Sequence, residues 1–164
     1  MESSFYDIVK ESVPVKMERQ PVEAENQEQG RLKNLAEFRF QLRKFLSFSE
    51  MASERVGIGA QQYQLMQVIA AMPEGQVASI TYLADRMILR HNSTVELVDR
   101  AERSGLVKRE TDERDLRRSI VQLTPQGRQL LERLVHEHLS ELAPRAENLI
   151  EALRNLQVTR EASQ

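Results

Sequence analysis

Two clusters of side chains in this sequence are equipped to hold a polyanion and to read it. The first is Arg90-His91-Asn92-Ser93-Thr94, followed by apolar residues at Val95, Val98 and Ala101. At a helix N-terminus the backbone N–H groups have no helical partner and attract phosphate. There Arg90 can grip a phosphate or a guanine edge, His91 and Asn92 can hydrogen-bond base edges, and Ser93 and Thr94 can reach either. The second cluster is Arg114, Asp115, Arg117 and Arg118, inside Asp112-Glu113-Arg114-Asp115-Leu116-Arg117-Arg118. Arginines carried on a hairpin tip suit a narrow minor groove. Asp115, two residues before Arg117, can brace the loop or orient an arginine. Ser79 is a further candidate, a helix-capping hydroxyl able to hold a phosphate. Taken singly, each of these is better explained as a cap or a solvated surface residue. Their order along the chain is what points to DNA.

That order sets what the supporting elements must be. Ser79 caps a short helix over Ile80 to Met87, with Leu83 and Ala84 inward. Ile88-Leu89-Arg90 makes a turn, and Asn92 or Ser93 caps a longer helix to about Arg103, ended by Ser104-Gly105. Leu106 to Thr111 and Ser119 to Thr124 read as two strands joined by the arginine-rich loop, with Val77-Ala78 as a minimal third strand. Helix, turn, helix and hairpin in succession make a winged helix-turn-helix. Glu96 fits this least well. It lies one turn beyond Asn92 on the face meant for DNA, where it can accept from a cytosine amine or pair with Arg100 four residues on.

Long helices flank this unit. From Leu32 to Arg55, Leu35, Phe38, Leu42, Phe45, Leu46 and Ala52 recur largely at steps of three and four. Further apolar residues, such as Phe40, Phe48 and Met51, fall on other sides, so two faces need burial, one of them against a partner chain. Gly57-Ile58-Gly59 breaks this helix, and another runs from about Ala60 to Met72 before Pro73-Glu74-Gly75. Thr124-Pro125 starts a helix with a stripe of Leu130, Leu131, Leu134, Val135, Leu139 and Leu142. Pro144 interrupts it, and a last helix runs to about Leu156. Residues 1–30 carry seven acids against three bases and read as an arm, either flexible or docked on a partner; 158–164 read as a tail.

Composition narrows the function. The net charge is −2, but removing the acidic arm leaves the rest at about +2, with its bases concentrated at 108–118. The sequence has no cysteine, so disulfides and thiolate metal sites are excluded, in keeping with a reducing cytoplasm. No apolar run approaches the roughly 18 residues of a membrane span, and the first residues carry no secretory pattern. His136 and His138, two apart on a helix, point in different directions and make a poor chelate. With no phosphate-binding glycine loop and no nucleophile motif, the reading is of a protein that is not an enzyme and needs neither cofactor nor metal.

The residues resemble the MarR family of bacterial transcription regulators. The resemblance is carried by Leu83-Ala84, Ser93-Thr94-Val95, Leu97-Val98-Asp99-Arg100, Gly105-Leu106-Val107, Arg109, Asp115 with Arg117, and Leu123-Thr124 with Gly127. It covers about Leu32 to Leu156. It implies a mainly α fold with a small β-hairpin wing, the winged helix-turn-helix at about 60–124 being flanked by dimerisation helices at about 32–55 and 125–157. It implies a homodimer on a pseudo-palindromic double-stranded DNA operator, usually a repressor, released by a small and often aromatic ligand. Many members carry a basic residue where Glu96 stands. For such a ligand, Phe48, Met51, Tyr63 and Met66 are candidates near the domain junction, although residues of these types are more often plain core. The alternative is a helical protein–protein interaction module that uses the winged fold without DNA.

Overall fold

The computed structural model describes residues 21–112 and 115–161. The elements follow the order α1 (Pro21–Arg55), α2 (Ala60–Ala70), α3 (Ile80–Met87), α4 (His91–Arg103), β1 (Val107–Asp112), β2 (Asp115–Leu123), α5 (Pro125–Leu142) and α6 (Ala146–Glu161). A 3-10 turn, Ala143–Arg145, holds Pro144 between α5 and α6.

The core sits between the helix-turn-helix and the hairpin. Leu83 of α3, Leu97, Val98 and Ala101 of α4, Leu106, and Val107 and Val121 of the strands are all at most 2% exposed. Leu65 and Met66 of α2 and Leu134 of α5 join them, fully buried. β1 and β2 pair antiparallel, from Val107 opposite Leu123 to Thr111 opposite Ser119, with a register shift after Thr111. The expected third strand is reduced to one bridge between Ser79 and Ile120, where the Val121 N–H donates to the Ala78 carbonyl at 2.9 Å.

Capping fixes where the elements meet. Thr124 Oγ1 accepts from the Gly127 N–H at 2.9 Å and donates to the Gly105 carbonyl at 2.6 Å. Its own N–H donates to the Leu106 carbonyl at 3.0 Å. Gly127 then lies so close to that carbonyl that a Cβ would stand 2.0 Å from the oxygen. The first turn of α5 is thus locked onto the turn between α4 and β1, and only glycine allows the approach.

α1 differs from its expected extent. It starts at Pro21, not near Leu32, and so takes in residues 21–30, read above as part of the arm. That stretch, Pro-Val-Glu-Ala-Glu-Asn-Gln-Glu-Gln-Gly, has no apolar stripe, so periodicity is silent there. Proline at the first helical position and the glutamates, glutamines and alanine behind it favour helix by intrinsic propensity. Residues 1–20 lie outside the described residues. α1 packs along α6, and Arg55 at its end pairs with Glu137 of α5.

Candidate nucleic-acid interface

Ser79 caps α3 with its Oγ accepting from the Tyr82 N–H at 3.2 Å. The hydroxyl proton is left to donate outward. α3 ends at Ile88, whose φ of 55° is left-handed, and the Leu89 N–H closes the turn on the Ala84 carbonyl at 3.0 Å. The N-cap of α4 is Arg90, in extended conformation and with no side-chain capping bond, so the expected cap at Asn92 or Ser93 is two or three residues too late. His91, Asn92 and Ser93 occupy the first turn, and all three are exposed, as is Arg90.

Thr94 is a correction. It is fully buried, and its Oγ1 donates to the Arg90 carbonyl at 3.1 Å, so it cannot reach a base. It points inward because it shares a helical face with Leu97, Val98 and Ala101. The outward stripe of α4 is Asn92, Ser93, Glu96, Arg100 and Arg103, all exposed. Among the described residues Glu96 and Arg100 form no ion pair, so the local pairing considered for them is absent.

The N-terminal ends of α3 and α4 and the base of the wing meet at an open groove of about 660 Å³, lined by Ser79, Ile80, Thr81, Tyr82, Asp85, His91 and Ser119. Ser79 and His91 are therefore brought together at one groove. Thr81, Tyr82, Asp85 and Ser119 were not anticipated. Thr81 follows the capping residue by two, a position from which a hydroxyl at a helix N-terminus reaches solvent, and that spacing was the signal for it.

The wing is longer and its loop shorter than expected. Asp115, Arg117 and Arg118 belong to strand β2, not to the loop, because pairing resumes at Asp112 opposite Asp115. Arg114 lies outside the described residues, and only the backbone positions of Asp115, Arg117 and Arg118 are described. The wing is tied to α4 by Arg109 of β1. Its Nη1 meets Glu102 at 2.7 Å, its Nη2 meets Asp99 at 2.6 Å and approaches the Val95 carbonyl at 3.4 Å, and its N–H donates to Glu102 at 2.9 Å. A planar guanidinium serves two carboxylates in this way where an ammonium would not. Arg109 stood in the sequence only as one match among many. Its partners, seven and ten residues back, lie on a different element.

The four candidate ligand residues do not converge. Met51 is 54% exposed, whereas Tyr63 and Met66 are buried and Phe48 is half-buried. Phe48 and Tyr63 instead pack on His138 of α5, with ring centroids 5.2 and 4.4 Å away, and Phe45 adds a third ring at 6.2 Å. His138 is buried, with Nδ1 2.7 Å from the Leu134 carbonyl and Nε2 2.9 Å from Ser49 Oγ. The carbonyl can only accept, so Nδ1 carries the proton and Ser49 donates to Nε2. Burial pushes the Tyr63 phenol above its ordinary value. His136, by contrast, is exposed, as opposite directions on the helix require.

This fold and its exposed stripe can be set beside known proteins. The model of the MarR family matches residues 56–118, which span α2, α3, α4 and most of the hairpin. Over these residues the chain is similar to the MarR family. A relative from Thauera aromatica, described as a putative transcriptional regulatory protein for the hcr operon, is 33% identical over 96 residues. That alignment covers 58% of this chain and only 56% of the relative's length. A MarR family protein from Bacillus stearothermophilus superposes with a TM-score of 0.62 at 22% identity, over 85% of this chain and 98% of that one. A variant of S. aureus MepR bound to an oligodeoxyribonucleotide gives 0.55 at 20% identity, over 77% and 95%. At such identities the structural likeness establishes the MarR fold. No helix among the described residues is long and apolar enough to cross a membrane.

Proposed function

We propose that this chain is a MarR-family, sequence-specific DNA-binding transcription regulator that acts as a homodimeric repressor. The observation that carries the reading is the exposed first turn of α4. Among the described residues, the side chains of Arg90, His91, Asn92 and Ser93 make no intramolecular hydrogen bond or ion pair, and they stand beside a wing fixed to the same helix by Arg109. In this reading α4 enters the major groove, Arg90 to Ser93 meet base edges and phosphates, Ser79 holds a phosphate from α3, and Arg114, Asp115, Arg117 and Arg118 bring the wing to the flanking minor groove. The MepR variant bound to an oligodeoxyribonucleotide supports the choice of ligand.

The second subunit is argued from the terminal helices. Leu32, Leu35, Phe40, Leu42, Leu46 and Met51 of α1, with Leu139 of α5 and Ile150 and Leu153 of α6, are each at least 38% exposed. A monomer rarely leaves so much apolar surface in water. A second copy covering it would set two α4 helices about one DNA turn, ~34 Å, apart. For release, Phe45, Phe48, Tyr63 and His138 pack against one another at the junction of α1, α2 and α5, and a small aromatic ligand would bind there by parting these rings.

The test is a gel-shift titration with duplexes from the gene's own upstream region, run at several salt concentrations beside light scattering of the free protein. A dimer that shifts one duplex at nanomolar protein, with affinity falling steeply as salt rises, is the expected result. Absence of any shift at low salt overturns the reading and favours the protein-binding alternative. Loss of the shift on adding small aromatic acids is expected if such a ligand releases the complex.

A further inference from the structure

α4 carries three acids, and the structure treats them differently. Asp99 and Glu102 turn toward the wing and both pair with Arg109, at 2.6 and 2.7 Å. Glu96 has no such partner. It is exposed on the same stripe as Asn92, Ser93 and Arg100, and among the described residues it forms no ion pair, not even with Arg100 one turn away. An unpaired carboxylate in the middle of a surface that must approach two phosphate strands opposes binding by charge alone. Its place there calls for a compensating contact made only with the correct sequence.

We infer that Glu96 is a specificity-determining residue that accepts a hydrogen bond from a cytosine N4 amine in the major groove. This rests on the DNA-binding reading above and deepens it. The chemistry singles out one base. Guanine presents two acceptors in that groove and thymine presents O4, so both repel a carboxylate. Adenine offers its N6 amine beside the N7 acceptor, a pattern that suits an amide and penalises an anion. Cytosine alone offers a donor with no neighbouring acceptor of its own. Glu96 therefore works in two directions. It rewards one cytosine, and at every other base it leaves a desolvated carboxylate unpaired near phosphate. Specificity obtained by rejecting wrong sites lowers affinity for bulk DNA as well. Arg109 contributes indirectly, because by occupying Asp99 and Glu102 it leaves Glu96 as the one acid of α4 free to read.

Selection from a random duplex pool by the full-length protein, the Glu96→Ala variant and the Glu96→Gln variant tests this. Both substitutions are at an exposed helix position and leave the core untouched. The expected wild-type result is an enriched palindrome with a fixed cytosine in each half-site. In the alanine variant that one column flattens, with discrimination at it falling about ten- to a hundredfold, while affinity for unrelated duplex rises severalfold. In the glutamine variant the column moves toward adenine. A palindrome whose columns are all unchanged in the alanine variant overturns the role of Glu96 and leaves the DNA-binding reading intact. Failure of the wild-type protein to enrich any sequence overturns both.

Discussion

Arg109 of β1 and Glu102 of α4 are joined twice. The backbone N–H of Arg109 donates to one carboxylate oxygen at 2.9 Å and its guanidinium donates to the other at 2.7 Å. The first bond fixes the strand and the second fixes the side chain, so the wing cannot pivot on α4 without breaking both. Replacing Arg109 with alanine keeps the first bond and loses the second, together with the contact to Asp99. The Arg109 side chain is 27% exposed and its acid partners more so, which limits the loss to about 1–2 kcal/mol. The effect on DNA should be larger than that figure suggests, because two carboxylates are uncovered beside phosphate. We expect Arg109→Ala to weaken DNA binding at all sequences, and Arg109→Lys to restore charge but little of the affinity, since a lysine cannot span both acids. Chemical denaturation with gel-shift titration of both variants checks this. Equal affinity of the lysine variant and wild type would mean that charge alone matters.

The parts of the fold that were legible in the sequence are those set by neighbours in the chain. Ser79 and Thr124 were recognisable as caps because a hydroxyl followed by the right run needs nothing distant. Gly105 stands at the end of α4 with a φ of 71°, as its place after Ser104 implied. What could not be read depends on faces and distance. Thr94 is hidden because it falls on the α4 face of Leu97, Val98 and Ala101, in a helix that begins two or three residues earlier than its polar run suggests. The Ser49–His138 contact spans 89 positions between α1 and α5, and no local pattern announces it. Charge at the wing was visible, but its division between strand and loop depends on the register shift after Thr111.

Gly127 offers a test in which two effects have opposite sign. Glycine inside a helix ordinarily costs about 1 kcal/mol relative to alanine, so Gly127→Ala would be expected to stabilise α5. Here the new methyl would meet the Leu106 carbonyl oxygen at 2.0 Å, against backbone that Thr124 holds in place. Relieving that overlap requires α5 to move away from the α4–β1 turn. The clash should win, with net destabilisation of about 2–3 kcal/mol in urea unfolding. A more stable alanine variant would mean that the helix start yields easily.

Ile88 predicts the reverse. It is a β-branched residue at φ 55° and is 92% exposed, so it bears backbone strain without burying its side chain. Ile88→Gly removes a penalty of about 1–2 kcal/mol and adds somewhat less in unfolded-chain entropy. A gain of about 0.5–1 kcal/mol is expected, or about 2 °C in melting temperature for a chain of this size. Thermal melts of the two proteins at equal concentration decide it. A lower melting temperature would indicate that the Ile88 side chain is covered in the assembled protein.

Tyr63 makes stability depend on alkaline pH in a definite direction. The phenol is buried, accepts from Gln67 Nε2 at 3.0 Å, and is raised above its usual value by burial, so the folded state holds the proton longer than the unfolded state does. Below about pH 10, where an unfolded tyrosine is also protonated, the shift has no effect on stability. Above that value the unfolded chain ionises first and binds fewer protons than the folded one, so stability falls as pH rises. Phenylalanine at this position keeps most of the packing on His138 and cannot ionise. Tyr63→Phe should therefore lose a constant increment of about 1 kcal/mol near neutrality, from the missing hydrogen bond. That deficit should then shrink as pH climbs past 10, as only the wild-type protein pays for keeping a phenol neutral. Urea unfolding of both proteins at pH 7, 9, 10 and 10.5 measures the difference directly. Parallel curves across that range would show that Tyr63 ionises as readily inside the protein as outside it.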